Sequence, residues 1–532
     1  MKLRTDIVKM YKEIHGWVGI VSGLGLFIAF FAGALTMFDA PIKRWASAPS
    51  SLPAPIALER SGELVDKVIA AHPKAAKGYT IQLTTDTGTP ARLEWEEGER
   101  GHGSPRTKYH AGLAKNGALV VVKDETSPVP YFVDVLHQQI GIMLDHELAM
   151  PIMGGVALLY FIALVSGTIV LLPSLVKDLY ALRIGKNAKR MWLDLHNMLG
   201  IFSLPFHIVM ALSSVVFAFH DQFYDAQALT FAQRPERAAA MTAPPPKPAS
   251  QQPIVTPVAA LASLTRELPG FTPSALAYGT DRKGQPSLRV MGADPRYGQR
   301  GPGYTLAILD PHSGKVTGKD YLGGVQDGWG ASVTSFFALH FGSFGGAPVR
   351  WAYFLLGLSG AAIFYTGNLL WVESRRRRER KAGAVEQTRA TRVLAALTVG
   401  VPLGCIAGIA VTLAAAKPLG TGASLGLHSA IYHAIFFACV LWALVRGSAR
   451  GAIELLPGAA IACLSVPAMT LATWQSHPPR EPGVDAVAAI MALGLLWAWR
   501  STLVRARSGP RDSVWSAPAL ERSDDPLAQP AE

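Results

Sequence analysis

His15-Gly16-Trp17-Val18-Gly19-Ile20-Val21-Ser22 and His196-Asn197-Met198-Leu199-Gly200-Ile201-Phe202-Ser203 align without a gap, and the histidine, one glycine, the isoleucine and the serine coincide. Each octet leads into an apolar run long enough to cross a bilayer. A second correspondence follows downstream: Val135-Leu136-His137 matches Ala338-Leu339-His340, each ahead of another apolar run. Span, polar segment, histidine and span therefore occur twice. Because each unit crosses an even number of times, the halves read as parallel repeats related by an axis along the membrane normal.

Composition agrees with this. Half of the 532 residues are hydrophobic and only 17% are charged, too apolar a balance for an ordinary soluble chain. Runs near the ~20 apolar residues that a bilayer core requires lie at 16–38, 151–172, 196–219, 351–372, 393–416, 425–445 and 455–474, with a weaker eighth at 484–503 where Arg500 must snorkel. The first run has no A-x-A site directly after it and reads as a retained anchor. The expected fold is an α-helical polytopic membrane protein.

The net charge of +12 reports orientation, with no nucleic-acid partner implied. Lys2, Arg4, Lys9 and Lys12, then Lys177, Arg183, Lys186, Lys189 and Arg190, then Arg375 to Arg378 with Arg380 and Lys381, then Arg446 and Arg450 all fall on one side of the alternating spans. The positive-inside rule makes that side cytoplasmic. Both termini are then inside, and two long polar segments, 40–136 and 221–339, lie outside.

Each polar segment opens on a proline-rich linker, Pro49, Pro53 and Pro55 in the first and Ala243-Pro244-Pro245-Pro246-Lys247-Pro248 in the second. An amphipathic helix follows at 57–71 and at 256–267. Strand-like runs come next: Tyr79 to Thr84, Ala91 to Trp95 and Ala118 to Val122, then Ser274 to Tyr278, Ser287 to Val290 and Tyr304 to Leu309, with a turn at Asp310 to Gly314 closing the last strand. Each segment reads as one helix on a small antiparallel sheet. The chain divides into 1–39, 40–150, 151–173, 174–195, 196–219, 220–347, 348–372, a basic linker at 373–392, about four further spans in 393–504 and a disordered cytoplasmic tail at 505–532.

Under the repeat symmetry His15 and His196 share one depth at the cytoplasmic ends of spans one and three, while His137 and His340 sit together near the outer face. Two facing pairs of imidazoles are what two stacked b-type haems require, each iron taking one histidine from each half. A lone histidine at a helix end is more often an interfacial residue. Recurrence at matched positions, and the cost of ionisable groups in a membrane, favour the ligand reading for these four. His207 lies eleven residues beyond His196, ~16 Å deeper on a straight helix. The matching residue in the first half is Phe27, so His207 has no symmetry mate. It is a candidate alternative haem ligand, proton relay or quinol contact, or a packing histidine kinked near Pro205. His146, His220, His428 and His433 read as structural.

Several chemistries lack support. Cys405, Cys439 and Cys463 form no C-x-x-C pair, so a disulfide framework, a zinc knuckle and covalent haem attachment are not expected. There is no H-E-x-x-H. No G-x-G-x-x-G joins a strand to a helix, so no nicotinamide or flavin domain is expected.

The octet at His15, Leu195-His196-Asn197-Met198-Leu199-Gly200, the following Leu204-Pro205-Phe206-His207 and the helix-plus-strands outer segments resemble the PepSY-associated transmembrane proteins. These are iron-regulated bacterial inner-membrane proteins that include ferric-siderophore reductases. The likeness covers about 1–375. It implies a duplicated span–PepSY–span unit with two α+β periplasmic domains and, in reductase members, membrane haem passing electrons to a periplasmic ferric-siderophore. The electron donor would then be separate, either quinol or a cytoplasmic reductase. The extra C-terminal spans depart from the simpler family pattern. A rival expectation is a non-enzymatic permease or accessory binding protein for iron chelates.

The charge pattern carries a test. An alkaline-phosphatase fusion after Ala57 is expected to be active and one after Lys381 inactive; the reverse pattern would invert the topology.

Overall fold

The computed structural model describes residues 4–508 and Trp515, apart from 87, 99–106, 174, 176–187, 223–225, 227–252, 282–283, 302–304, 382–386 and 421. The 243–248 tract, the cations Lys177, Arg183 and Lys186, and all of the tail after Trp515 lie outside the described residues.

The first half comprises α1 (Thr5–Thr36), α2 (Asp39–Ala46), α3 (Ser61–Ala71), β1 (Gly78–Gln82), β2 (Leu93–Glu97), β3 (Thr107–Leu113), β4 (Leu119–Lys123), α4 (Val129–Gln139) and α5 (His146–Leu171). The second comprises α6 (Ala188–Phe202), α7 (Leu204–Ala218), α8 (Pro257–Glu267), β5 (Thr272–Thr280), β6 (Pro286–Ala293), β7 (Leu306–Leu309), β8 (Val316–Gly318), α9 (Gly328–Phe341) and α10 (Gly346–Lys381). A C-terminal unit of α11 (Arg389–Leu419), α12 (Leu425–Arg446), α13 (Ser448–Ala472) and α14 (Pro482–Ser508) follows. Seven of these helices, α1, α5 and α10 to α14, are long and apolar enough to cross a membrane.

The third expected span, 196–219, is not straight. It breaks between α6 and α7 with a bend of 72°. Pro205 has no N–H to return to the preceding turn, and the Ser203 hydroxyl donates to Leu199 O at 2.6 Å, so two local features loosen the ladder at one place. The straight-helix depth of ~16 Å for His207 therefore does not hold.

Two further boundaries shift. The basic linker expected at 373–392 is helical as far as Lys381, and Glu379 accepts from the hydroxyls of Thr388 (2.6 Å) and Thr391 (2.7 Å), drawing α10 onto the start of α11. The segment expected as tail from 505 is helical as far as Ser508.

The two α+β segments share one sheet, where separate sheets were expected. Eight strands run in the order β4-β3-β2-β1-β5-β6-β7-β8, and β1 pairs antiparallel with β5 through Thr80↔Ala277 and Ile81↔Leu276. Each meander would otherwise present an open edge, and the partner's edge satisfies it. The joint is apolar: Ile81 and Leu276 are fully buried, and the rings of Tyr79 and Tyr278 stack at 5.2 Å. Helices α3 and α8 cover one face through Leu64, Val68, Ala260 and Leu264. Strands β3 and β8 had no expected counterpart, and the Asp310–Gly314 turn leads into β8 instead of ending the sheet.

On the other face His110, 1% exposed, sits across from Glu94 in the β2/β3 register, with Nε2 3.1 Å from Asp124. Burial would raise the Asp124 carboxyl, but hydrogen bonds from His110 and Thr126 outweigh it and hold the group well below the usual carboxylate range. A carboxyl depressed in the folded state stabilises the fold above its unfolded value, and that stability is lost as pH falls through the folded one.

Two outcomes follow. Ile81→Ala is expected to lower sheet stability by about 2–5 kcal/mol in thermal unfolding, with no change pointing to a joint that is not packed. Acidification below about pH 4 should destabilise the sheet less in Asp124→Asn than in the unsubstituted protein; identical acid profiles would exclude the His110 contact as a source of stability.

Candidate functional site

The expected pairs form. His15 on α1 and His196 on α6 bring their ring centroids to 6.2 Å at an interplanar angle of 71°. His137 near the end of α4 and His340 near the end of α9 lie 6.4 Å apart at 41°. In each pair one ring comes from each half of the repeat.

A neighbouring helix orients every ring through Nδ1. His15 Nδ1 donates to Ala163 O on α5 at 2.8 Å, with Ser166 Oγ at 3.5 Å. His196 Nδ1 lies 3.1 Å from both Ile363 O and Thr366 Oγ1 on α10. His137 Nδ1 donates to Ala29 O on α1 at 2.7 Å. His340 Nδ1 lies 2.8 Å from Ser213 Oγ on α7, whose own proton goes to Val209 O at 2.6 Å, so the hydroxyl accepts. These contacts fix the tautomer with the proton on Nδ1 and leave the Nε2 lone pair available, the arrangement that supports metal-bound histidine.

The inner pair rests on a second repeat that reading the histidines alone passes over. Ala163-x-x-Ser166-Gly167 and Ile363-x-x-Thr366-Gly367 occupy equivalent places on α5 and α10. The glycines admit the rings: a Cβ on Gly167 would lie 2.7 Å from His15 Cε1, and one on Gly367 3.4 Å from His196 Cε1. The hydroxyl-glycine doublet in spans two and four was the available signal. At the outer pair a Cβ on Gly33 would lie 2.6 Å from His137 Nδ1.

Two imidazoles on opposite sides of one metal, with bonds of about 2 Å, have centroids roughly 6 Å apart. Both pairs match that spacing. Among the described residues no group of three or more His, Cys, Asp and Glu side chains could hold a metal ion. Each pair thus offers two nitrogen donors, the number a haem iron takes from protein when both axial positions are filled. Along α1, fourteen residues separate His15 from Ala29, the acceptor for His137, so the two levels stand about 20 Å apart.

His207 lies between the levels, 3% exposed, with the Tyr160 hydroxyl 2.5 Å from Nδ1 and the rings of Phe30, Tyr160 and Phe206 around it. Its Nε2 is buried and has no hydrogen-bond partner among the described residues. The outer pair opens on a cleft of about 890 Å³ whose lining includes Phe30, Tyr160, Phe206, Gln299 and Arg350. Of the remaining histidines, His146 contacts Gln139 at 3.3 Å, His220 pairs with Asp221 at 3.1 Å, and His428 contacts Ser424 O in its own helix at 2.9 Å.

The glycine contact is testable without any cofactor. Gly33→Ala must push the His137 ring aside and is expected to lower thermal stability by about 1–3 kcal/mol; a variant as stable as the parent would mean that the ring does not press on α1.

A family model described as PepSY-associated TM region matches residues 12–374, a range that contains both histidine pairs and His207. No curated protein matches the chain.

Proposed function

The chain belongs to the PepSY-associated transmembrane family, and from that premise we propose that it is a haem-containing oxidoreductase of the bacterial inner membrane that passes electrons across the bilayer to reduce iron in a periplasmic ferric-siderophore. One observation carries the reading: two cross-repeat histidine pairs with centroids at 6.2 and 6.4 Å, each ring anchored at Nδ1 and, among the described residues, with no hydrogen bond at Nε2.

His15 and His196 would hold one haem b and His137 and His340 a second. When bound, haem supplies a one-electron couple that neither imidazole nor any other side chain here provides. The residues do the rest. Ala163, Ile363 and Ala29 carbonyls and the Ser213 hydroxyl accept from Nδ1–H, which fixes the tautomer and orientation of each imidazole. The apolar walls of α1, α5, α7 and α10 exclude water from the space between levels. Arg350 places a cation at the rim of the cleft shared by His137 and His340, where haem carboxylates or an anionic chelate would find a counter-charge. Iron bound to hard oxygen donors is held more weakly after reduction, so the change of oxidation state itself promotes release. With no dinucleotide-binding fingerprint in the chain, quinol or a separate cytoplasmic reductase at the basic face supplies the electron.

A pyridine haemochrome assay on the purified protein tests this. Two haem equivalents per chain are expected, falling to one in His196→Ala with loss of ferric-chelate reduction and unchanged membrane insertion. The cleft favours a second reading, chelate binding without reduction, and a colourless preparation that still binds a ferric chelate would select it.

A further inference from the structure

The C-terminal unit has no counterpart in the repeat; it packs on α10 and α6 of the second half and also reaches the elements around the first-half ligand of the outer pair. Trp45 on α2 donates from Nε1 to Thr470 Oγ1 (3.1 Å) on α13 and Asp485 Oδ1 (3.0 Å) on α14, and Lys417 Nζ of α11 sits 4.1 Å above its ring while bonding Thr470 at 2.9 Å. Beside it Arg44 pairs with Glu481 at 2.6 Å. Tyr432 on α12, 1% exposed, packs its ring 5.6 Å from Phe132 of α4.

The decisive contact lies just past His137. Helix α4 ends at Ile140, the only non-glycine residue with positive φ among the described residues (φ 50°), followed by Gly141 (φ 77°). A β-branched residue in the left-handed region is strained and persists only where its surroundings hold it. They hold it from two sides. The Ile140 side chain reaches α1, its Cδ1 3.0 Å from where a Cβ on Gly25 would stand. From the other side His433 Nε2 lies 2.9 Å from Gly141 O. The Nε2–H tautomer donates to that carbonyl and accepts at Nδ1 from the Ser429 hydroxyl at 3.2 Å, whereas the Ser429 carbonyl, 2.7 Å from Nδ1, accepts only from a ring that carries its proton on Nδ1. The corresponding helix of the second half, α9, ends instead at Gly342 with φ 59°, a conformation that costs glycine little.

We propose that the C-terminal unit is a clamp that sets the position of His137 against His340 through the strained Ile140-Gly141 turn, with His433 as the positioning residue. Its consequence for a bound group rests on the haem reading above; the clamp itself does not. His433 meets the chain at the turn that follows His137, so this one contact acts on the outer pair and gives α12 a role in tuning the outer site.

The test uses the full-length protein with His433→Phe, which keeps the ring volume and loses the donor, and His433→Gln, whose amide can still reach Gly141 O. Hydrogen exchange over 129–142 is expected to speed up roughly fivefold in the Phe variant and to stay near the parental rate in the Gln variant. In redox titration followed by optical spectra, the Phe variant should move one of two haem midpoints and leave the other in place, with the Gln variant restoring it. Unchanged exchange in His433→Phe, or equal movement of both midpoints, overturns the clamp. A colourless parental protein instead defeats the haem reading, and the exchange result still decides whether His433 holds α4.

Discussion

The structure depends on a constraint at eight ring nitrogens. Four imidazoles must each turn one nitrogen to a neighbouring helix so that the other faces the opposite half, and they do so with Nδ1 bound to Ala163, Ile363, Ala29 or Ser213. An imidazole in an apolar bundle with both nitrogens idle would carry a desolvation cost. With Nδ1 satisfied, the Nε2 lone pair of each ring is left over, and the two rings of a pair stand 6.2 or 6.4 Å apart across the repeat interface. The packing of α5 against α1, and of α10 against α6 and α1, is what makes these bonds possible, which is why glycine stands where each inner ring crosses its neighbour.

The same two-fold relation reaches into the sheet. Two meanders run outward in mirror order from the β1/β5 joint, so one axis relates the histidine pairs below and the strand pair above. The sheet holds the halves together on its side of the membrane, where no bilayer pressure keeps helices side by side. The C-terminal unit breaks the symmetry, touching α2 and α4 of the first half through Trp45, Tyr432 and His433. The outer pair thus has one ligand helix gripped from behind, whereas the inner pair is set by the matched Ser166-Gly167 and Thr366-Gly367 doublets.

Much of this was legible from the residues because duplication leaves a local record. The gapless octets at His15 and His196 and the matched triplets at His137 and His340 contain the pairing, and the amphipathic runs at 57–71 and 256–267 contain α3 and α8. What escaped is non-local. The β1/β5 joint pairs strands nearly two hundred residues apart, and nothing in Gly78–Gln82 distinguishes an edge that meets its own repeat from one that meets water. Strand β3 mixes Lys108, Tyr109 and His110 and lacks clean alternation. Ser166 and Thr366 look like ordinary small polar residues of a span until the ring they steady is in place. The bend at Ser203 was hinted at by Pro205, but its angle depends on what α7 packs against.

The account's central claim is that imidazoles from separate halves share one iron at each of two levels. A cryo-electron microscopy map of the purified protein at side-chain resolution measures this directly. The account predicts a planar density between His15 and His196 and a second between His137 and His340, each contacted by Nε2 on both faces. Pairs in direct ring-to-ring contact with no density between them, in protein purified without denaturant, would contradict it.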